Sequence, residues 1–386
     1  MPDASDSRPL AMLVTRNFPP LLGGMEKLNW HLLSALRPVS RIALCGPAGC
    51  EAYVPLQTEV RQARMKPLLV FLLATFWNAV YLSLRRKPAW IIAGSGLAAP
   101  IAWLAARCAG SRTAAYLHGL DIVAPSRVYQ WLWLPFIRHC DIVLANSAST
   151  ARLAQQRGVQ ADRLRVLHPG TDLPELDAVA ACGFREQHGL GQCPLLLSVG
   201  RLTQRKGLPE FVAKALPAIV REYPETILVV IGVEATDALH TRSGSERERI
   251  LSAAREAGVE QHLRFLGRCD EVSLSLAYQA ADLHVFPVLE LRGDIEGFGM
   301  VALEAAAHGL PTVAFAVGGV PEAVQDESTG SLVESGDYVG IAAAAIRWLK
   351  RTRGNDVSAA CRAFAADKTW TAFGVRLRKV LGIAHV

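Results

Sequence analysis

The chain is expected to fold as two α/β domains, each a doubly wound parallel sheet, and three observations lead there. Short runs that are apolar throughout alternate with longer helix-forming segments. That alternation pauses once, at "LHPGTDLPELDAVAACGFREQHGLGQCP" (167–194), rich in Gly, Pro and Asp, and then restarts. A length of 386 residues suits two domains. Strands with no polar face, separated by helices, belong to a parallel sheet covered on both sides.

In the first half, "LAMLVT" (10–15), "RIALC" (41–45), "WIIAG" (90–94), "TAAYLHG" (113–119) and "DIVLANS" (141–147) read as buried strands. Segments 25–37, 97–108 and 126–139 are long enough to be the crossover helices between them. The second half offers "LLLSVG" (195–200), "TILVVIG" (226–232), "LRFLG" (263–267), "LHVFP" (283–287), "PTVAF" (311–315) and "TGSLV" (329–333). This gives a first domain over 1–170, a second over 171–366, and a helical tail over 367–386. Doubly wound sheets bind ligands at the carboxyl ends of their strands, so two facing one another would form an interdomain cleft.

Composition narrows the function. With 51% hydrophobic and 20% charged residues the chain is globular rather than disordered. A net charge of +6 suits anionic small molecules or an anionic membrane surface, and is too weak and dispersed for nucleic acid. The 8 cysteines show no C-x-x-C pair, so reduced thiols are expected rather than disulfides or a zinc framework. "MPDASDSRPLAMLVT" lacks a basic n-region and a cleavable apolar stretch, which makes the cytoplasm the expected compartment.

One segment departs from this ordinary pattern. "PLLVFLLATFWNAVYLSL" (67–84) carries no charge and is bracketed by Arg61, Arg64 and Lys66 on one side and Arg85, Arg86 and Lys87 on the other. Its length touches the transmembrane threshold, yet it lies between strands of one sheet. Packing on that sheet, or resting on an anionic membrane through 61–87, are the other readings.

Chemistry concentrates at strand ends. In "SVGRLTQRKGLPEF" (198–211), Gly200 ends a strand and Arg201 and Lys206 follow before a helix opens, a combination suited to a phosphate. In "DIEGFGMVALEAAAHGLP" (294–311), Glu296 falls in a loop and Glu304 inside the helix that Gly309 closes. Carboxylates accept sugar hydroxyls well, and Gly297 and Gly299 would let a ligand approach the backbone. Ordinary capping and a helix-face glutamate account for Glu296 and Glu304 comparably. Gly23 and Gly24 make a βα turn that either faces a ligand or simply turns. His118, in "YLHGLD" (116–121), stands at another strand end, as a site residue or as a satisfied structural histidine.

Together these stretches resemble the nucleotide-sugar-dependent retaining glycosyltransferases of the GT-B fold, in the Glu-x7-Glu group of glycosyltransferase family 4 type. "EGFGMVALE" (296–304) matches that signature, and "GRLTQRKG" (200–207) is similar to the family's phosphate loop. "GGME" (23–26), "HGLD" (118–121), "NS" (146–147) and "PGTD" (169–172) follow its order along nearly the whole chain. The resemblance implies an N-terminal Rossmann-like acceptor domain, a C-terminal nucleotide-sugar domain, and a final helix crossing back to the former. Arg201 and Lys206 would hold the diphosphate, Glu304 the ribose, and Glu296 the donor sugar. Gly297, Phe298, Gly299 and Met300 would offer backbone contacts, and Gly23, Gly24 and His118 would complete the site.

It further implies a hexosyltransferase needing neither metal nor cofactor, with a UDP- or GDP-sugar donor. The acceptor would be a glycan or a lipid-linked molecule of polysaccharide or lipopolysaccharide synthesis. The enzyme would act in the cytoplasm, peripheral to the inner face of the membrane. A nucleotide-sugar epimerase, a phosphorylase and a catalytically silent membrane-associated binding module are the rivals. The run carrying Arg292 and Asp294 is longer than the compact family form and lies beside the donor sugar site. There it either affects donor or acceptor choice or is a solvated loop, the latter being the expectation.

Overall fold

The structure is a computed structural model that describes residues 7–124, 126–234, 245–291, 293–351 and 355–383. Arg292 and the first six residues of the N-terminal segment lie outside the described residues. The chain separates into two compact units, one of residues 1–170 with 370–386 and one of residues 171–369.

The first unit is built on β1 (Leu10–Val14), β2 (Arg41–Pro47), β3 (Glu59–Ala63), β4 (Trp90–Ala93), β5 (Arg112–Leu117), β6 (Ile142–Ala145) and β7 (Leu164–Val166). All pair in parallel in the order β3-β2-β1-β4-β5-β6-β7. The five apolar runs read from the sequence are its central strands. The edge strands β3 and β7 are additions, "EVRQA" and "LRV", whose side chains are largely half-buried or exposed.

The segment 126–139 is two short helices, Arg127–Leu132 and Leu134–His139, rather than one. Pro135, which has no N–H to give to a continuing helix, sits in the first turn of the second. The helix Gly24–Leu36 packs with Leu28, Leu32, Leu33 and Leu36 inward. Against it lies the C-terminal helix Trp370–Leu381. There the Trp370 indole stacks on the His31 ring at 3.8 Å, and Arg378 Nη1 donates to the Ala35 carbonyl at 2.9 Å.

The apolar segment becomes the helix Leu68–Arg86. It buries Phe71, Thr75, Ala79, Leu82 and Ser83, one helical face, against the helix Ala99–Ala109 and the sheet. The opposite side leaves Leu69 67%, Leu73 53% and Trp77 66% exposed. By length and composition the helix could cross a membrane, and it packs one face on its own sheet with 28% of its apolar window buried.

The second unit holds β8 (Leu195–Val199), β9 (Ile227–Ile231), β10 (Leu263–Gly267), β11 (Leu283–Phe286), β12 (Thr312–Phe315) and β13 (Gly330–Val333), parallel in the order β10-β9-β8-β11-β12-β13. Its core gathers Phe211, Phe286, Phe298, Phe315 and Trp348. Each such side chain contributes on the order of 2–3 kcal/mol when buried. The unit runs on to Thr369, past the boundary at 366 read from the sequence.

Candidate functional site

In the second unit the site residues come from three strand ends. After β8 the chain turns at Gly200 (φ +140), and Leu202 tucks inward while Arg201 stays exposed. A short turn, Gln204–Lys206, then leads through Gly207 (φ +65) into the helix starting at Leu208. Only glycine fits at 207, because a Cβ there would lie 2.2 Å from the Pro287 carbonyl oxygen that follows β11. Leu289 N donates to the Arg205 carbonyl at 2.8 Å, so the two loops are locked together.

The loop after β11 carries Asp294 and Glu296 back onto this basic turn. Lys206 Nζ donates to Glu296 Oε2 at 3.0 Å and lies 4.5 Å from the centre of the Phe286 ring. Arg205 Nη1 donates to the same Glu296 oxygen, and Arg205 Nε forms an ion pair with Asp294 Oδ1 at 3.0 Å. Burial alone would raise the Glu296 pKa, but Arg205 and Lys206 together hold it down, at about 2. Burial drives the Lys206 pKa below its ordinary value despite Glu296, with Arg205 and Arg201 acting in the same direction. Two cations and two carboxylates therefore balance in this cluster, with Arg201 exposed beside it.

The expected solvated loop around Asp294 is thus corrected. Asp294 is drawn in by Arg205, its side chain is 20% exposed, and its N–H closes a tight turn onto Leu291 O at 3.0 Å.

The backbone of Glu296 and Gly297 is clamped from the other side. Gly319 N donates to the Glu296 carbonyl at 3.0 Å. A Cβ on Gly318 (φ +55) would lie 2.2 Å from that same oxygen, and one on Gly319 would lie 2.1 Å from Gly297 O. Phe298 is buried in the core, so its backbone alone is available to a ligand. Gly299 (φ +92) then caps the helix Met300–Ala307. Within that helix Glu304 Oε2 accepts from Tyr278 OH at 3.3 Å, and the Tyr278 ring stacks on His308 at 4.9 Å. Glu304 sits in this aromatic setting, apart from the ion cluster that holds Glu296.

In the first unit Asn29, from the helix Gly24–Leu36, and His118, just after β5, converge on one carbonyl. Asn29 Nδ2 donates to Thr15 Oγ1 at 3.2 Å, Asn17 O at 2.9 Å and Gly94 O at 3.2 Å. His118 Nε2 stands 2.9 Å from the same Gly94 oxygen, and its backbone N–H donates to Asp121 Oδ2 at 2.9 Å. A carbonyl partner requires the proton on Nε2, which in the neutral ring leaves Nδ1 as an acceptor. Gly23 (φ +158) precedes the helix beginning at Gly24 and is pressed by Glu26, whose Oε2 would lie 2.5 Å from a Cβ there.

Arg205, Gly318 and Gly319 were not among the expected site residues. The glycine pair carried a legible signal, since "AVGGVPE" repeats the strand–Gly–Gly–helix pattern of residues 23–24. Arg205 carried none, because its partners lie about ninety residues away in sequence.

Two family models match the chain. "Glycosyltransferase Family 4" covers residues 22–175 and "Glycosyl transferases group 1" covers residues 184–365. Over 396 aligned residues the chain is 30% identical to a GDP-mannose-dependent alpha-(1-6)-phosphatidylinositol monomannoside mannosyltransferase of Mycolicibacterium smegmatis, covering 96% of this chain and 97% of that protein. The chain belongs to the family 4 glycosyltransferases. This glycosyltransferase is also 31% identical over 245 residues to a D-inositol 3-phosphate glycosyltransferase of Nocardia farcinica, covering 62% of this chain and 52% of that protein. Its GT-B fold is shared with Anabaena HepE, solved with UDP and glucose, at a TM-score of 0.80 and 19% identity over 98% of this chain and all of that one (100%). WaaG, a glycosyltransferase of lipopolysaccharide biosynthesis, aligns at a TM-score of 0.69 and 16% identity over 97% of this chain and 100% of that one.

Proposed function

We propose that the protein is a retaining hexosyltransferase, moving a sugar from a nucleoside diphosphate-sugar to a glycan or lipid-linked acceptor of the cell envelope. The observation that carries this reading is the Arg205–Glu296–Lys206 cluster between the ends of β8 and β11. A donor diphosphate arriving there takes Lys206 and Arg201, and Glu296, still held by Arg205, accepts from the sugar hydroxyls. Glu304 accepts from the ribose hydroxyls, steadied by Tyr278. The backbone at Gly297, Gly299 and Met300 lines the donor, and Gly200 lets the chain pass close to the phosphates.

The cations meet the charge that develops on the leaving diphosphate, so no metal or cofactor is needed for that task. A departing phosphate oxygen removes the acceptor hydroxyl's proton on the face from which the phosphate leaves. Retention then requires no carboxylate nucleophile. His118 Nδ1 is an acceptor for a substrate hydroxyl, and the Gly23–Gly24 turn contributes to substrate binding by the first unit.

The mannosyltransferase relative makes GDP-mannose the first donor to assay and UDP-glucose the second. The protein works at the cytoplasmic face of an anionic membrane, resting there through the exposed side of Leu68–Arg86. Support comes from Leu69, Leu73 and Trp77 beside Arg64, Lys66 and Lys87. Arg61 stacks on Tyr81 at 5.0 Å, and Arg86 is taken by Glu59 at 2.8 Å.

Thermal unfolding with GDP and UDP tests the donor site, since a ligand at about 100 Kd adds roughly 2.7 kcal/mol. Transfer assays with the stabilising base's sugars follow. Stabilisation by neither nucleotide refutes the reading, and equal donor consumption with and without acceptor would indicate an epimerase or hydrolase. Sedimentation with anionic vesicles, reversed by high salt, tests the membrane contact, and indifference to vesicles refutes it.

A further inference from the structure

The Arg205 guanidinium is held by two carboxylates at once, Glu296 through Nη1 and Asp294 through Nε at 3.0 Å. The three side chains are withdrawn from solvent, at 15%, 14% and 20% exposure. The main chain is pinned on both sides, by Leu289 N to Arg205 O at 2.8 Å and by Gly319 N to Glu296 O at 3.0 Å. What remains adjustable is where the Glu296 carboxylate points and which cation holds it.

Arg205 and Lys206 differ in what they can do about that. A guanidinium is planar and donates in fixed directions, so the Nη1 bond to Glu296 is an oriented one, while Asp294 faces Nε as a charge partner at 3.0 Å. An ammonium on a flexible stem is a point charge that changes partners readily. When a diphosphate draws Lys206 away, Glu296 would be a buried carboxylate without a counter-charge unless Arg205 stayed in place.

We propose that Arg205 is the positioning residue for Glu296. Asp294, on the extended loop, holds the guanidinium in place by its charge, and Lys206 is thereby left as the cation that exchanges Glu296 for the donor's diphosphate. This rests on the reading of the site as one for a nucleoside diphosphate-sugar. Arg205 acts through Glu296 on the sugar, so its loss falls on turnover rather than on nucleotide affinity.

The test compares the unaltered protein with Arg205→Gln, Asp294→Asn and the charge-balanced double variant. The readouts are Tm, the Kd for GDP or UDP, and kcat and KM for the donor. Arg205→Gln is expected to keep the nucleotide Kd within about threefold while kcat falls ~30-fold or more, the scale of a carboxylate misplaced by about an ångström. Asp294→Asn is expected to lower kcat less, by ~3–10-fold, because Glu296 keeps its guanidinium.

The double variant restores charge balance and is expected to recover Tm without recovering kcat. Recovery of kcat together with Tm would show a merely structural ion pair and overturn the proposal. So would parallel losses in Kd and kcat/KM, which would make Arg205 a diphosphate ligand. Should Arg205→Gln fail to fold, the double variant carries the same comparison. Failure of the unaltered protein to bind either nucleotide overturns the functional reading, whereas normal transfer by Arg205→Gln overturns the positioning role alone.

Discussion

Replacing Glu296 by glutamine removes one charge and leaves Arg205 and Lys206 side by side with Asp294 as their one remaining acidic partner in the cluster. The cost follows from the carboxylate's own titration. Against the penalty of burial, the two cations hold its pKa at about 2 rather than 4.5, which corresponds to about 3 kcal/mol. Breaking a buried ion pair by deleting one partner typically costs ~3–5 kcal/mol, so the two routes agree. For a unit of this size, ~2–4 °C per kcal/mol makes the expected fall in Tm roughly 6–12 °C at pH 7.

The sign of the pH dependence is fixed. A carboxylate with a depressed folded pKa stabilises fully above 4.5, and that contribution is lost as pH falls toward 2. Melting curves of the two proteins, followed by circular dichroism, should therefore be far apart at neutral pH and converge between those values. At neutral pH pyrophosphate should raise the Tm of Glu296→Gln more than that of the unaltered protein, because it supplies the missing negative charge. Equal Tm values at pH 7, or a gap undiminished in acid, would refute the electrostatic account of this site.

Other perturbations separate further parts of the site. Gly318→Ala should lose ~1–2 kcal/mol to left-handed backbone and more to the clash with Glu296 O, whereas Gly110→Ala, at φ +68 in open space, should lose only the first; urea midpoints check this. Glu304→Ala should weaken nucleoside diphosphate binding ~10-fold or more by calorimetry, and unchanged affinity would remove it from the ribose role. His118→Ala should cut transfer by ~10²-fold while leaving the nucleotide Kd unaltered, and a loss in Kd instead would exclude a first-unit role confined to turnover.

The limits of sequence reading follow from where information is local. Central strands such as β4 and β11 announce themselves because both faces are buried and every side chain must be apolar. The edge strands β3 and β7 have a strand on one side only, so "EVRQA" and "LRV" can be polar and pass for loop. The break in 126–139 was available locally, in Pro135. The site divides in the same way. Gly200, Arg201, Lys206, Glu296 and Glu304 lie in short contiguous patterns legible in the sequence, the first four in the loops after β8 and β11 and Glu304 in the helix that follows the second loop. Arg205 and Asp294 look like ordinary surface charges until the fold brings β8 and β11 side by side.

That difference alters the electrostatic argument itself. Arg201 and Lys206, counted along the chain, suggest an open anion site carrying two positive charges. With Glu296 on Lys206, and Arg205 balanced against Asp294, these four groups sum to zero charge in the fold. A diphosphate cannot simply be added to a neutral, mostly buried cluster without leaving uncompensated negative charge. On the proposed reading, binding there is an exchange in which phosphate replaces Glu296 on Lys206. Such an exchange would take Glu296 off Lys206 while Arg205 keeps it, tying the seating of the phosphate to the orientation of the sugar. Two independent point charges holding two ends of a ligand would have no such coupling.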